Sequence, residues 1–205
     1  MQYDLKTIPF PGREKSIEVL QQDYVFNKIP LEQHEVIVSM AWERGKQAAR
    51  QFLKKDGRLV DSPEIADFVQ IMLRNNFTIQ YFDQDFVSGN IRYFADIQPK
   101  SKHVCIYTRS IQLWAEKNEC TYELAEELIL MHEYFHYWDS MQVKSTSRLY
   151  MVPTIIIGPI RLGKTGVAAL CEIAANAFVW ELCEVNYLDI VNRLADRINI
   201  TNNNF

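Results

Sequence analysis

The spacing of apolar positions changes along this chain, and each change predicts a different element. From Leu31 to about Lys55, apolar and charged residues recur at three- and four-residue steps, which predicts an amphipathic helix ended by Gly57. A second helix is expected from Ser62 as N-cap, with Pro63 in its first turn, to about Asn75. The period then shortens. FTIQYFD (77–83), NIRYFADI (90–97) and HVCIYT (103–108) are brief, rich in β-branched and aromatic residues, and divided by SGN and QPKS turns, which predicts a small antiparallel sheet. A short helix over 111–117 follows. Thr121 is placed to cap a long helix over 122–141, and a last helix is expected from about Val167 toward Ile198, with a break near Asn186. Helices around a small sheet give an α+β fold, read as one domain with a helical part (1–76) and a core (77–205).

On the 122–141 helix, Leu124, Leu128, Met131, Phe135 and Trp138 form one apolar stripe, the expected core face. Beside it, MHEYFHYWD carries His132, Glu133 and His136 as an H-E-x-x-H pattern. Imidazoles at i and i+4 lie one above the other on a helix and can converge on one ion. Glu133 is offset by one residue, which sets its carboxylate beside that ion, where it can take a proton from water as a general base. A catalytic zinc site needs three protein ligands. Asp139 lies two turns from His132, about 10 Å along the axis, and is expected behind the ligands or facing solvent. Glu172, in LCEIAANAFVWEL, is the better third ligand. Its neighbours Ala174, Ala175 and Ala177 are small enough for two helices to approach closely, and Asn176, one turn on, could orient its carboxylate. The bland reading makes the histidines a polar edge of an amphipathic helix and Glu172 an unrelated surface acid.

Composition narrows the choices. A hydrophobic fraction of 48% is enough for a real core, and a net charge of −4 with interspersed signs gives no basic stripe for nucleic acid. The opening residues lack a signal-peptide pattern, and MVPTIIIGPI (151–160) is too short and proline-broken to span a bilayer. A cytoplasmic protein without membrane contact is expected. Cys105, Cys120, Cys171 and Cys183 show no C-x-x-C spacing and read as reduced thiols.

A rival motif lies downstream. Residues Gly158–Thr165, GPIRLGKT, fit the phosphate-cradling pattern G-x-x-x-x-G-K-[ST], with an apolar VPTIII before them that could be a strand. Nucleotide hydrolysis would also need an aspartate at the end of a further strand, whereas the residues after Thr165 read as helix, so the segment reads instead as a loop into the glutamate helix. Other side chains have two readings each. His103 could donate to an oxyanion or be a solvent-facing strand end, and Tyr150 and Arg161 could serve as a lid or as loop anchors. His34 has no visible partner.

The strands and LAEELILMHEYFHYW, followed by EIAANAFVWEL, resemble the ImmA/IrrE-type metallopeptidases, whose glutamate segment follows an E-x-x-A-N-x-F-A-x-x-L pattern. The resemblance covers 121–182 and the preceding strands, and residues 1–76 match nothing in it. It implies a zincin-like fold with Zn2+ on His132, His136 and Glu172 and Glu133 as general base. It also implies a hydrolase cutting a peptide bond in a regulatory protein such as a helix-turn-helix repressor, in a phage or mobile element. A zinc-stabilised binding module without catalysis is the alternative, nucleotide binding through Gly158–Thr165 a further one, and the sequence is silent on oligomeric state.

Overall fold

In the computed structural model, which describes residues 8–55 and 67–184, α1 (Ser16–Gln21) leads to α2 (His34–Lys55). The pattern places the start of α2 three residues earlier, but Leu31–Gln33 winds as a 3-10 turn after Pro30. Asp67 caps α3 (Phe68–Arg74), its carboxylate accepting the Gln70 N–H at 2.7 Å. The expected start at Ser62 and Pro63 lies outside the described residues.

The strands are β1 (Thr78–Phe82), β2 (Phe86–Ser88), β3 (Ile91–Tyr93), β4 (Ala95–Gln98) and β5 (His103–Tyr107). NIRYFADI breaks at Phe94 and serves two sheets. Its first half closes a hairpin with β2 across Gly89, whose φ of +60° suits glycine, and its second half is β4. The main sheet has the order β1-β5-β4. It is not wholly antiparallel as expected, because β5 returns between β4 and β1 and so runs parallel to β1, with Thr78 opposite His103 and Phe82 opposite Tyr107. A parallel pair needs a crossover, supplied here by the hairpin and β4 instead of a helix. Along β5, Val104 and Ile106 are buried while His103, Cys105 and Tyr107 are half-buried on the other face.

Helix α4 (Thr108–Lys117) and helix α5 (Tyr122–Ser140) follow, and Thr121 caps the latter through the Leu124 N–H at 3.2 Å. The connection to α6 (169–184) contains two small antiparallel ribbons: β6 (Met151–Val152) with β9 (Thr165–Gly166), and β7 (Ile155–Ile157) with β8 (Ile160–Leu162). The rest of the expected last helix, including Asn186, lies outside the described residues. No helix among the described residues is long and apolar enough to cross a membrane.

Helix α6 is the centre of the packing. Ile173, Ala174, Ala175, Ala177, Phe178 and Val179 are all fully buried, so the middle turns of the helix are covered on every side. Phe52 of α2 meets Phe68, Tyr134 and Phe178 at ring-centroid distances of 5.3, 5.1 and 5.7 Å. Glu181 ties α6 to α2 through Arg50 (2.7 Å) and Lys46 (3.1 Å). At the start of α6, the Ala169 N–H donates to the buried Asp23 carboxylate at 2.7 Å, so the N-terminal region supplies a partner for a helix end.

Between α2 and α6 the backbones nearly touch at Gly45, where a Cβ would fall 2.0 Å from the Ala174 carbonyl oxygen and 2.8 Å from Ala177 Cβ. In an open helix, alanine for glycine gains about 1 kcal/mol of helix propensity. Here the obstacle is a backbone carbonyl that cannot swing aside, and overpacking costs about 1–3 kcal/mol. The Gly45→Ala variant is therefore expected to unfold at lower urea concentration than wild type with little change in slope. A higher midpoint would show that the two helices have room to part.

Candidate metal centre

One face of α5 and the first turns of α6 bring three donor groups together. His132 Nε2 lies 3.1 Å from His136 Nε2 and 3.2 Å from Glu172 Oε2, and His136 Nε2 lies 3.5 Å from Glu172 Oε1. All three ligand atoms fall within 4.8 Å of one another. A tetrahedral zinc ion with ligand bonds of about 2.0–2.1 Å would have edges of about 3.3 Å, so these separations fit one ion at the centre. Two imidazole nitrogens and a carboxylate oxygen are also a donor set suited to zinc. The sequence-predicted trio is thus assembled in space.

The surroundings push the acidic groups in opposite directions. Burial opposes ionisation of Glu172, but hydrogen bonds and charge from His132 and His136 outweigh it and hold its carboxyl far below the usual carboxylate range. Burial likewise opposes the charge on His136, yet Glu172, Glu133 and Asp139 raise its proton affinity. Glu133 goes the other way: burial pushes its carboxyl up, against the lowering fields of His136 and His132. His132 Nδ1 is buried with no hydrogen-bond partner among the described residues, and the ring packs with Phe10 at 5.8 Å and His136 edge-on at 4.9 Å.

A cleft of about 400 Å³ opens over the trio, with His132, Glu133 and Glu172 in its lining. Its apolar wall is formed by Phe10, Phe94, Trp114 and Ile129; Trp114 stands edge-on to Phe10 (5.7 Å) and Phe94 (6.2 Å). Ala95, the first residue of β4, also lines it, which makes β4 the sheet edge beside the donors. No local pattern marks Phe10, which arrives from a segment without periodicity.

Other expected residues fall elsewhere. His103, Tyr150 and Arg161 do not line the cleft; His103 opens β5 and Arg161 sits in exposed β8. Asn176 is buried but makes no hydrogen bond to Glu172 among the described residues. His34 has a structural partner after all: its Nε2 lies 3.1 Å from the Ile29 carbonyl and its ring packs on Phe26 at 4.7 Å. The GPIRLGKT segment is no phosphate cradle at a helix start. Gly158 (φ +56°) turns the β7–β8 ribbon, Thr165 belongs to β9, and α6 begins only at 169.

Asp139 is not at solvent. It is buried behind the donors and accepts hydrogen bonds from the Thr146 backbone N–H (2.9 Å) and hydroxyl (2.6 Å), from Arg44 (3.2 Å) and from the Cys171 thiol (3.7 Å). Burial first, and the Asp139 charge second, push the Cys171 thiol up to about 12. The thiolate is the reactive form, so at pH 8 iodoacetamide is expected to label Cys171 more than about a hundredfold slower than free cysteine. Peptide mass spectrometry would follow the labelling, with urea restoring it. Equal rates in the folded protein would place this thiol in the open.

Comparison with known proteins adds no relative: no family model, no curated protein and no solved structure matches the chain.

Proposed function

We propose that this chain is a zinc-dependent peptidase with His132, His136 and Glu172 as ligands and Glu133 as general base. The observation that carries the reading is the donor cluster, in which the two imidazole Nε2 atoms lie 3.1 Å apart and each lies within 3.5 Å of a Glu172 carboxylate oxygen, with the Glu133 carboxylate in the same cleft. Zinc bound there supplies a Lewis acid that polarises a peptide carbonyl and eases the deprotonation of water. The rest is the work of the chain. A Glu133 carboxylate oxygen takes a proton from water and can pass it to the departing amine, a task matched by a carboxyl whose affinity burial has raised. The free edge of β4 can pair with an extended peptide, since main-chain hydrogen bonds align a substrate without demanding a particular sequence. The aromatic wall of Phe10, Phe94 and Trp114 shields the reacting bond from bulk water.

The likeness of 121–182 to ImmA/IrrE-type peptidases extends the proposal to the substrate, a regulatory protein such as a helix-turn-helix repressor. Metal analysis by mass spectrometry is the direct test: about one zinc per chain in wild type, none in Glu172→Ala, and wild-type content in Glu133→Gln. With a helix-turn-helix repressor that wild type cleaves as substrate, Glu133→Gln is expected to cleave about 10²–10⁴-fold more slowly. Undiminished cleavage by Glu133→Gln would sink the general-base assignment, and a wild-type protein that takes up no added zinc would sink the site.

A further inference from the structure

Residues 140–171, which join the two donor-bearing helices, hold four of the chain's 22 basic residues and none of its 26 acidic ones. Lys144, Arg148, Arg161 and Lys164 are all exposed, and none forms an ion pair among the described residues. The same segment carries the β7–β8 ribbon. Ile155 lies opposite Leu162 and Ile157 opposite Ile160, so by the two-residue period of a strand these four aliphatic side chains share one face. They are 49, 53, 64 and 54% exposed. Among the described residues no further strand pairs with this two-stranded ribbon, and such an exposed row is an unsatisfied apolar face.

The root of the ribbon adds further features of one kind. Lys28 Nζ donates to the carbonyls of Thr154 (2.7 Å) and Pro153 (3.3 Å). The Tyr24 hydroxyl lies 2.8 Å from Thr165 Oγ1, while its ring is left 75% exposed. The pairing of β6 with β9, and the Val167 N–H bond to the Ser147 carbonyl at 2.9 Å, set the turn bearing Arg148 against this root. A ridge of aliphatic side chains is therefore bordered by cations and an exposed tyrosine ring in a chain that is otherwise acidic.

We propose that this ribbon docks on the surface of an anionic lipid bilayer. The ribbon ends in a turn at Gly158 (φ +56°), and a bilayer interface accepts an exposed aliphatic row of this kind without requiring a matching shape. Lysine and arginine beside it meet lipid phosphates, and the long stem of Arg161 lets its guanidinium rise to headgroup level while its neighbours Ile160 and Leu162 go deeper. A tyrosine ring with one polar end belongs at that same boundary. A second copy of the chain would bring like charges together. The proposed contact is peripheral, on the surface and not through it, and it departs from the sequence expectation of no membrane contact. It stands independently of the peptidase proposal.

Flotation of the full chain with vesicles decides it. Binding is expected to vesicles of mixed phosphatidylcholine and phosphatidylglycerol, not to phosphatidylcholine alone, and is expected to weaken with salt. Each charge removed should lower the partition coefficient about fivefold, so Arg161→Ala with Lys164→Ala should lower it about 25-fold. Ile157→Ser with Ile160→Ser should also weaken binding at least tenfold, because the buried aliphatic groups are lost. All these side chains are exposed, and an unchanged melting temperature and circular dichroism spectrum in each variant would show that the fold is intact. Failure of wild type to float with anionic vesicles at low salt would overturn the proposal, as would equal binding by both double variants. A change of oligomeric state in the variants without vesicle binding would equally overturn it, assigning the ridge to a protein contact.

Discussion

A carboxylate buried one turn beyond His136 is satisfied by groups that arrive from three separate parts of the chain. Asp139 ends α5; Arg44 comes from α2, Thr146 from the connecting segment and Cys171 from α6, next to Glu172. A buried carboxylate without partners is costly, and removing one member of a buried pair typically destabilises by about 3–5 kcal/mol. Four donors converge here, the Thr146 N–H and hydroxyl, the Arg44 guanidinium and the Cys171 thiol, and together they offset the cost of burying the charge. The consequence is geometric: the first turn of α6 can only sit where Cys171 reaches Asp139, and that position carries Glu172 toward His132 and His136. Charge burial on one side of α5 thereby helps to fix donor separation on the other.

The N-terminal region, which resembles nothing in the peptidase pattern, takes its meaning from α6. Covering the middle turns of that helix on all sides requires α2 to approach it to backbone contact, possible at Gly45 because there is no side chain and opposite Ala174 and Ala177 because theirs are small. Glycine costs helix propensity, about 1 kcal/mol, and the close approach offsets it through the packing of Phe52 and the ion pairs of Glu181. Asp23 then accepts from the otherwise unpaired Ala169 N–H at the start of α6. The segment before α1 also reaches the cleft itself, where Phe10 packs beside His132. Residues 8–55 are thus part of the site's frame and supply one side of its wall.

What could be read from the sequence follows from the range of each interaction. Helices α2, α4 and α5 show themselves through a local period, and Thr121 announces its cap within three residues. The convergence of His132, His136 and Glu172 was legible because two of the three share a helix turn and the third is marked by a run of small residues that allows close packing. The direction of β1 relative to β5 was not, since alternation fixes which face is buried and says nothing of which neighbour a strand takes. Phe94 splits an apparently continuous strand because its two halves pair with different partners. Asp139, Asp23 and Gly45 owe their roles to residues 7 to 146 positions distant or to another helix's backbone, and no helix or strand period carries such information. GPIRLGKT errs in the opposite sense. Its letters match a phosphate loop, but flanking apolar residues form a ribbon with it, and a helix start is lacking where the chemistry needs one.

Two carboxylates close together in one cleft, both flanked by histidines, take opposite protonation behaviour from their settings, and this separation favours distinct roles. Glu172 receives both imidazole Nε2 atoms and is held ionised, as a ligand to a cation must be. Glu133 has no direct hydrogen bond to either ring among the described residues, so burial dominates and its proton affinity rises. A cation placed among the donors would replace the proton that His136 otherwise favours, and would lower the affinity of Glu133 by its field, bringing a buried acid toward a working base. Environments that push paired titratable groups apart are how acid–base assignments arise within a single site. The proposed division of labour, one carboxylate for the ion and one for the proton, therefore rests on where α5 and α6 place each oxygen as much as on the H-E-x-x-H letters.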